Sequence, residues 1–214
     1  MSVDAAPQQG RIQSTNDDKM LNTDGLLCME ADRGDLDSIV HIHMDSLPND
    51  VFANLGKRFL YDFYMKTLDH HGYELAVVRS NDVVRGFCLV SDRTGAVMEL
   101  VSARTYLLAA RLLFFRPRLF VSAVLQFLQM TKVRQLQSAE IAFIAVSRDS
   151  QQKGIGKLLI KYAIDFCQQK QCRSLNTKTS NQHLARYYRE RFNAREVASF
   201  AVFDQKYSVL EWDL

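Results

Sequence analysis

Gly154 and Gly156 lie two residues apart, after the apolar run Ala139–Val146 and before a helical pattern of Leu158, Leu159, Tyr162, Ala163 and Phe166. A strand-to-helix junction leaves the first N–H groups of the helix without intrahelical partners, and the helix dipole adds positive potential there. Glycines remove the side chains that would hold an anion away. The loop Gln151-Gln152-Lys153-Gly154-Ile155-Gly156 therefore reads as a phosphate cradle, with Lys153 and Lys157 charging its rim. The bland use of such a glycine pair is a plain tight turn. Two other phosphate loops are excluded. A P-loop ends in Gly-Lys-Ser/Thr after a longer glycine spacing, and a dinucleotide fingerprint carries three glycines.

Other reactive side chains carry less. Four cysteines occur, at Cys28, Cys88, Cys167 and Cys172, with no Cys-x-x-Cys pair and no histidine pair at zinc spacing, so no metal is expected. Cys88 falls within a strand pattern and Cys167 within an apolar helix face, which suits packing better than nucleophilic attack. His41 and His43 sit on one helix pattern and His70 and His71 at the end of another, and all four read as surface or satisfied core residues. His183 falls close to Asn181, and nothing in the sequence gives it a role. Glu140 opens the strand that runs into the glycine loop. It is either a base beside the cradle or a solvated residue at a strand start.

The elements that must position these residues follow from periodicity. Leu26–Glu30 reads as a short strand, and Asp32 or Asp35 caps a helix carrying Leu36, Ile39, Val40, Ile42 and His43 on one face. After Leu47-Pro48-Asn49-Asp50, a second helix carries Val51, Phe52, Leu55, Phe59, Leu60, Phe63 and Tyr64, and Gly72 closes it. Tyr73–Val78 and Val84–Val90 form a hairpin around Arg79-Ser80-Asn81-Asp82. From Ser138 the order is strand, glycine loop, helix, a strand at Arg173–Thr177, a short helix capped by Asn181 and running through Arg189, and a closing hairpin over 195–203 and 207–213.

Residues 98–131 are unusual, with apolar helical patterns from Leu100 to Phe115 and from Leu119 to Met130, parted by Arg116-Pro117-Arg118. Each half is about a dozen residues, short of the roughly 20 that cross a bilayer. A helical pair packed on the domain or walling a substrate cleft is the first reading of this segment. A homodimer surface is the second, and interfacial membrane contact through 106–130 is the third.

Composition bounds the rest. The chain has 214 residues, 47% hydrophobic and 24% charged, which supplies one full core. A net charge of +3 without a dense basic stripe excludes nucleic acid as the expected partner. The polar start of the chain lacks the basic-then-apolar pattern of a secretory signal, so residues 1–25 are expected to be a disordered tail and the protein cytoplasmic, with reduced thiols.

Two motifs carry a family resemblance. Ala139-Glu140-Ile141-Ala142-Phe143-Ile144-Ala145-Val146-Ser147 followed by Gln151-x-x-Gly154-Ile155-Gly156 resembles the central motif of the GNAT acetyltransferase superfamily, Gln/Arg-x-x-Gly-x-Gly/Ala. Asn181 followed seven residues later by Tyr188 resembles that family's second motif. The likeness is strong over 139–214, consistent over 26–91 and absent over 98–131. It implies that N–H groups from Gln152 to Lys157, with Gln151 beside them, bind the pyrophosphate of acetyl-CoA. It further implies that the splayed strand at Ile144, Ala145 and Val146 pairs with the pantetheine arm and that Asn181 lies beside that arm.

Tyr188 is implied as the acid that protonates the departing thiolate, and Glu140 aligns with the general base of the histone-acetylating branch. The family's Gly-Phe pair after the tyrosine is here Arg191-Phe192-Asn193-Ala194. Anchoring on Asn181 selects Tyr188, anchoring on Phe192 selects Tyr187, and packing alone is the third use of either ring. Asn193 is the residue that could replace the glycine in a left-handed conformation. The loop at Asp45, Asn49 and Asp50 commonly borders the acceptor in this fold.

The expectation is thus a single α/β domain at 26–214, a GNAT-like mixed, splayed sheet with helices on both faces and a helical insertion at 98–131. Its activity would be direct acetyl transfer from acetyl-CoA to a primary amine: an amino sugar, a small metabolite or a protein amine. The rivals are a non-catalytic CoA or acyl-CoA sensor or scaffold, and an enzyme for longer acyl chains.

Overall fold

In a computed structural model, residues 21–23, 25–100, 117, 121, 138–202 and 205–214 are described. The chain order is β1 (Leu21–Thr23), β2 (Leu26–Glu30), α1 (Leu36–Ser46), α2 (Val51–Leu55), α3 (Lys57–Leu68), β3 (Tyr73–Ser80), β4 (Val83–Ser91) and β5 (Ala139–Val146). It continues with α4 (Ile155–Gln169), β6 (Ser174–Thr179), α5 (Gln182–Phe192), β7 (Arg195–Val202) and β8 (Gln205–Asp213). The eight strands form one sheet in the order β1-β2-β3-β4-β5-β6-β8-β7. All neighbours are antiparallel except β5 and β6.

The sheet is apolar on both faces. One face packs α4 and α5 through Leu159, Phe166, Tyr188 and Trp212, and the other packs α1 and α3 through Ile39, Leu60, Phe63 and Phe87. Burial on both faces explains why β3 and β4 read as nearly continuous apolar runs.

Four local expectations change. β1 pairs with β2 through Leu21 and Cys28, so a strand lies inside the segment read as tail. The second helix is broken at Gly56, whose φ of 99° and ψ of 168° suit glycine alone. Phe52 still meets Phe59 at 5.2 Å and Phe63 at 5.0 Å across that break, so the periodic face survives the kink. α5 runs past Arg189 to Phe192. The β3–β4 turn narrows to Asn81-Asp82, both with positive φ, as a two-residue hairpin requires.

Of the segment expected as a helical insertion, residues 98–100 belong to the 3-10 turn Ala96–Leu100, and Pro117 and Val121 are helical. The remainder lies outside the described residues, and the dimer and membrane readings lie there with it. Among the described residues, no helix is long and apolar enough to cross a membrane.

Candidate active site

β5 pairs with β6 only at Ala139↔Leu175, Glu140↔Asn176 and Ile141↔Thr177, although β5 continues to Val146. Beyond Ile141 the two parallel strands part, and the sheet opens into a cleft of about 550 Å³. The floor is Ala142, Phe143, Ile144, Ala145 and Val146 of β5. One wall is Ser46–Asp50, after α1. The other is Thr177–Asn181, Leu184, Tyr187 and Tyr188, with Gln205 and Tyr207 of β8. Gln151 and Gly156 close the end nearest α4.

Backbone direction matters at the parting. Ser147 N–H donates to Arg85 C=O of the β4 side at 2.8 Å. Backbone groups alternate between the two edges of a strand, so the N–H groups of Val146 and Ile144 face the unpaired edge of β5. Ser46 Oγ reaches that edge and donates to Val146 C=O at 3.1 Å.

The glycine loop lies at the mouth of this edge. Gly154 is left-handed at φ 81°, and Gln152 is also positive at 63°. A Cβ at Gly154 or at Gly156 would meet nothing within 4 Å, so the space above both glycines is open. Lys157 N and Leu158 N donate to Gly154 C=O, whereas the N–H groups from Gln152 to Gly156 donate to no described residue. Lys153 Nζ folds back on Asp149 C=O at 2.8 Å, leaving Lys157 exposed in the first turn of α4. Gly86 lets that turn sit down on the sheet. A Cβ there would stand 2.9 Å from Ile155 Cγ2 and 3.0 Å from Ala145 O.

Asn181 caps α5, its Oδ1 accepting from His183 N–H and Leu184 N–H, so its amide nitrogen is the part that can turn to a ligand. Asn193 ends the helix at φ 54° and ψ 33°, the left-handed position, and its N–H donates to Tyr188 C=O. Phe192 is therefore the last helical residue, which removes the anchor that favoured Tyr187. Both tyrosines line the cleft. Tyr188 is buried and stacked on Trp212 at 6.0 Å, while Tyr187 is half-buried. Burial pushes the Tyr188 phenol above its ordinary range, so the ring stays protonated.

Glu140 is not in the cleft. It is 3% exposed, and its Oε2 accepts from Gly95 N–H at 2.6 Å at the closed end of β5. Neither the base beside the cradle nor the solvated strand start describes it. The carboxylate holds the Ser91–Gly95 turn against the sheet. The sequence signal that brought it forward, its place on β5, was real, but at Glu140 the strand is still paired with Asn176 of β6, before the two strands part. Gln205, Tyr207, Ser46 and Lys178 are cleft residues with no sequence signal, because only the strand order brings β8 and the α1–α2 loop to β5.

The cysteines are free thiols. Burial lifts Cys28 to about 12 and Cys88 well above its usual value, so neither supplies a thiolate.

No protein of curated function matches the sequence. Solved structures match the fold at low identity. An N-acetyltransferase from Staphylococcus aureus Mu50 is 16% identical with a TM-score of 0.59, over 88% of this chain and 98% of that one. YncA from Salmonella typhimurium, solved with its cofactor acetyl-CoA, is 14% identical with a TM-score of 0.60, over 89% and 95%. A ribosomal-protein-alanine N-acetyltransferase from Brucella melitensis is 14% identical with a TM-score of 0.58, over 88% and 99%. The model of the acetyltransferase (GNAT) family matches residues 36–193, most of the chain and all of the cleft but Gln205 and Tyr207. On this match, over more than half of its length, the chain belongs to the acetyltransferase (GNAT) family.

Proposed function

We propose that this chain binds acetyl-CoA along the parted edge of β5 and transfers the acetyl group directly to a primary amine. The observation that carries the reading is the continuity of three features. The glycine loop, which reaches the cleft at Gln151 and Gly156, the unpaired edge at Ile144–Val146 and Tyr188 all border one cleft.

The glycine loop and the helix dipole of α4 would hold the pyrophosphate, with Lys157 nearby as a screened charge. Ile144 and Val146 would pair with the amide groups of the pantetheine arm as a missing strand would, with Ala145 between them directed to β4. Asn181 would contact the same arm through its amide nitrogen.

When the amine attacks the thioester carbonyl, the developing oxyanion needs a fixed donor, and this edge offers the N–H groups of Ile144 and Val146. Collapse of the adduct breaks the C–S bond and leaves a thiolate, whose ordinary pKa is near 8.5. A phenol with a raised pKa is a poor acid toward such a thiolate in water. In the cleft the same burial raises the thiolate's proton affinity too, so Tyr188 donates a hydrogen bond that becomes proton transfer as the sulfur departs, and the proton that the attacking nitrogen loses passes through cleft water and restores the phenol. Cys28 and Cys88, buried and held protonated, offer no nucleophile for a covalent acyl-enzyme route. Four free cysteines suit a reducing cytoplasm.

The test is release of free thiol from acetyl-CoA across a panel of primary amines, with Tyr188→Phe alongside. Amine-dependent release that falls about 100-fold in the variant supports the reading. Acetyl-CoA binding without release for any amine leaves a sensor or scaffold instead.

A further inference from the structure

The cleft wall after α1 contains a polar chain that the transfer mechanism does not use. His43 is fully buried, with Nδ1 2.6 Å from Tyr64 Oη and Nε2 3.1 Å from Asp50 Oδ2. Asp50 Oδ2 also accepts from Phe52 N–H at 2.8 Å and Ala53 N–H at 3.4 Å, as the cap of α2. A carboxylate accepting N–H groups has no proton to give, so His43 Nε2 must carry the hydrogen toward it. In the neutral imidazole His43 Nδ1 is then an acceptor, and the Tyr64 hydroxyl donates to it. Phe87, 6.0 Å from the imidazole ring, and Phe143, 4.9 Å from it, flank His43 and fix its plane.

Every one of these bonds falls on Oδ2. Asp50 Oδ1 has no hydrogen-bond partner among the described residues, and Asp50 lines the cleft with its side chain 27% exposed. Among the described lining residues Asp50 is the single carboxylate, and Lys178 on the opposite wall is the single cation. A cationic amine entering this cleft therefore meets one complementary charge. Leu47, Pro48 and Phe143 border it with apolar surface.

We infer that Asp50 Oδ1 anchors the amino group of the acceptor, with His43 and Tyr64 as positioning residues that hold the carboxylate's other oxygen. The acceptor class this surface fits is a primary amine on a short apolar or aromatic body. Lys178 disfavours polyamines, which carry further positive charge toward it. The inference rests on the amine-acceptor reading above and deepens it.

Asp50→Asn tests it with little disturbance of the fold. Asparagine caps helices as well as aspartate does. Its amide oxygen takes over the bonds from His43 and Phe52, which turns the NH2 toward the cleft and replaces an acceptor with a donor. Wild type and variant are compared with saturating acetyl-CoA and 2-phenylethylamine, ethanolamine or spermidine as probe amines, reading thiol release. Thermal unfolding with acetyl-CoA checks that the cofactor end is intact.

The expected result is acetyl transfer to 2-phenylethylamine in preference to spermidine, and a rise of at least 10-fold in KM for that amine in Asp50→Asn. The stabilisation by acetyl-CoA should be unchanged. Equal KM values in the two proteins overturn the anchor, and spermidine as the preferred probe overturns the acceptor class. Absence of thiol release with every probe in a wild type that acetyl-CoA stabilises overturns the amine reading as a whole. Loss of that stabilisation in the wild type condemns the cofactor reading separately.

Discussion

Ser46 and Val146, one hundred residues apart in sequence, are joined by a hydrogen bond of 3.1 Å from the hydroxyl to the carbonyl oxygen. Arg148 Nη2 adds a second tie to Asp45 C=O at 2.8 Å. Together they fasten the last two residues of α1, just before the loop that carries Asp50, to the end of β5 and the turn that leads into the glycine loop. The two ends of the cleft are thus one mechanical unit. Ser46→Ala should cost about 1 kcal/mol of stability. It should also raise KM for both acetyl-CoA and the amine by a few-fold, measured by chemical denaturation and by initial rates. A variant that changes neither KM would show that the tie carries no positional information.

Gly86 is the contact that allows the first turn of α4 to rest on β4. Its missing Cβ leaves room that Ile155 Cγ2 and Ala145 O already fill to 2.9 and 3.0 Å. Gly86→Ala should therefore destabilise by about 1–3 kcal/mol through overpacking. Because the displaced turn is the cradle itself, affinity for acetyl-CoA should fall as well, read by isothermal titration. Lost stability with unaltered affinity would separate the packing from the cradle.

Glu140 and Tyr188 are expected to behave oppositely on substitution. Glu140→Gln weakens a buried charge-assisted bond to Gly95 N–H and should cost about 1.5–3 kcal/mol while leaving kcat within a few-fold of wild type. Tyr188→Phe should keep stability near that of the wild type and lower kcat about 100-fold, with Tyr187→Phe far milder. A large kcat loss in Glu140→Gln would restore it as a base.

The pH profile follows from the direction of the Tyr188 shift. An acid must be protonated to act, and a raised pKa means protonation persists to higher pH. The rate should show no loss assignable to Tyr188 as pH rises from 8 to 10, once the amine is corrected for its own ionisation. A fall centred below pH 10 that vanishes in Tyr188→Phe would contradict the assignment.

Stability should decline at alkaline pH for a related reason. Cys28, Cys88 and Cys167 are buried and raised from 9.0, Cys28 to about 12. Above pH 9 the unfolded thiols ionise while the folded ones do not, so the unfolded state releases protons and gains. The stabilisation from burying neutral thiols is full below about 9 and is lost as pH climbs toward the folded values. The slope is about 1.4 kcal/mol per pH unit for each thiol. Denaturant melts from pH 8 to 10.5 should show it, flattened by one thiol's share in Cys28→Ala.

Much of the site could be read before the fold was seen, and the reason is locality. The glycine loop at Gln151–Lys157 and the cap at Asn181 are built from residues next to one another in the chain, so spacing alone places that loop and that helix start. The left-handed Asn193 was legible in the same way, as a substitute for glycine at a helix end. What could not be read depends on facing and on long-range order. Glu140 lies on the expected strand but within its paired part, before the parting, which register with β4 and β6 decides. Gln205 and Tyr207 reach the cleft only because β8 inserts between β6 and β7. His43 reads as an ordinary amphipathic position, and its link to Asp50 and Tyr64 needs three elements brought together.

The central claim is that the glycine loop and the parted strand bind acetyl-CoA, and thermal unfolding with and without that molecule tests it most directly. Ligand at 100 times its Kd should stabilise the folded protein by about 2.7 kcal/mol and raise the midpoint accordingly. Gly154→Asp should abolish the rise, because φ of 81° disfavours the new side chain and its carboxylate would repel the pyrophosphate proposed to bind there. An unchanged midpoint for the wild type at millimolar acetyl-CoA would contradict the account and return the loop to a plain turn.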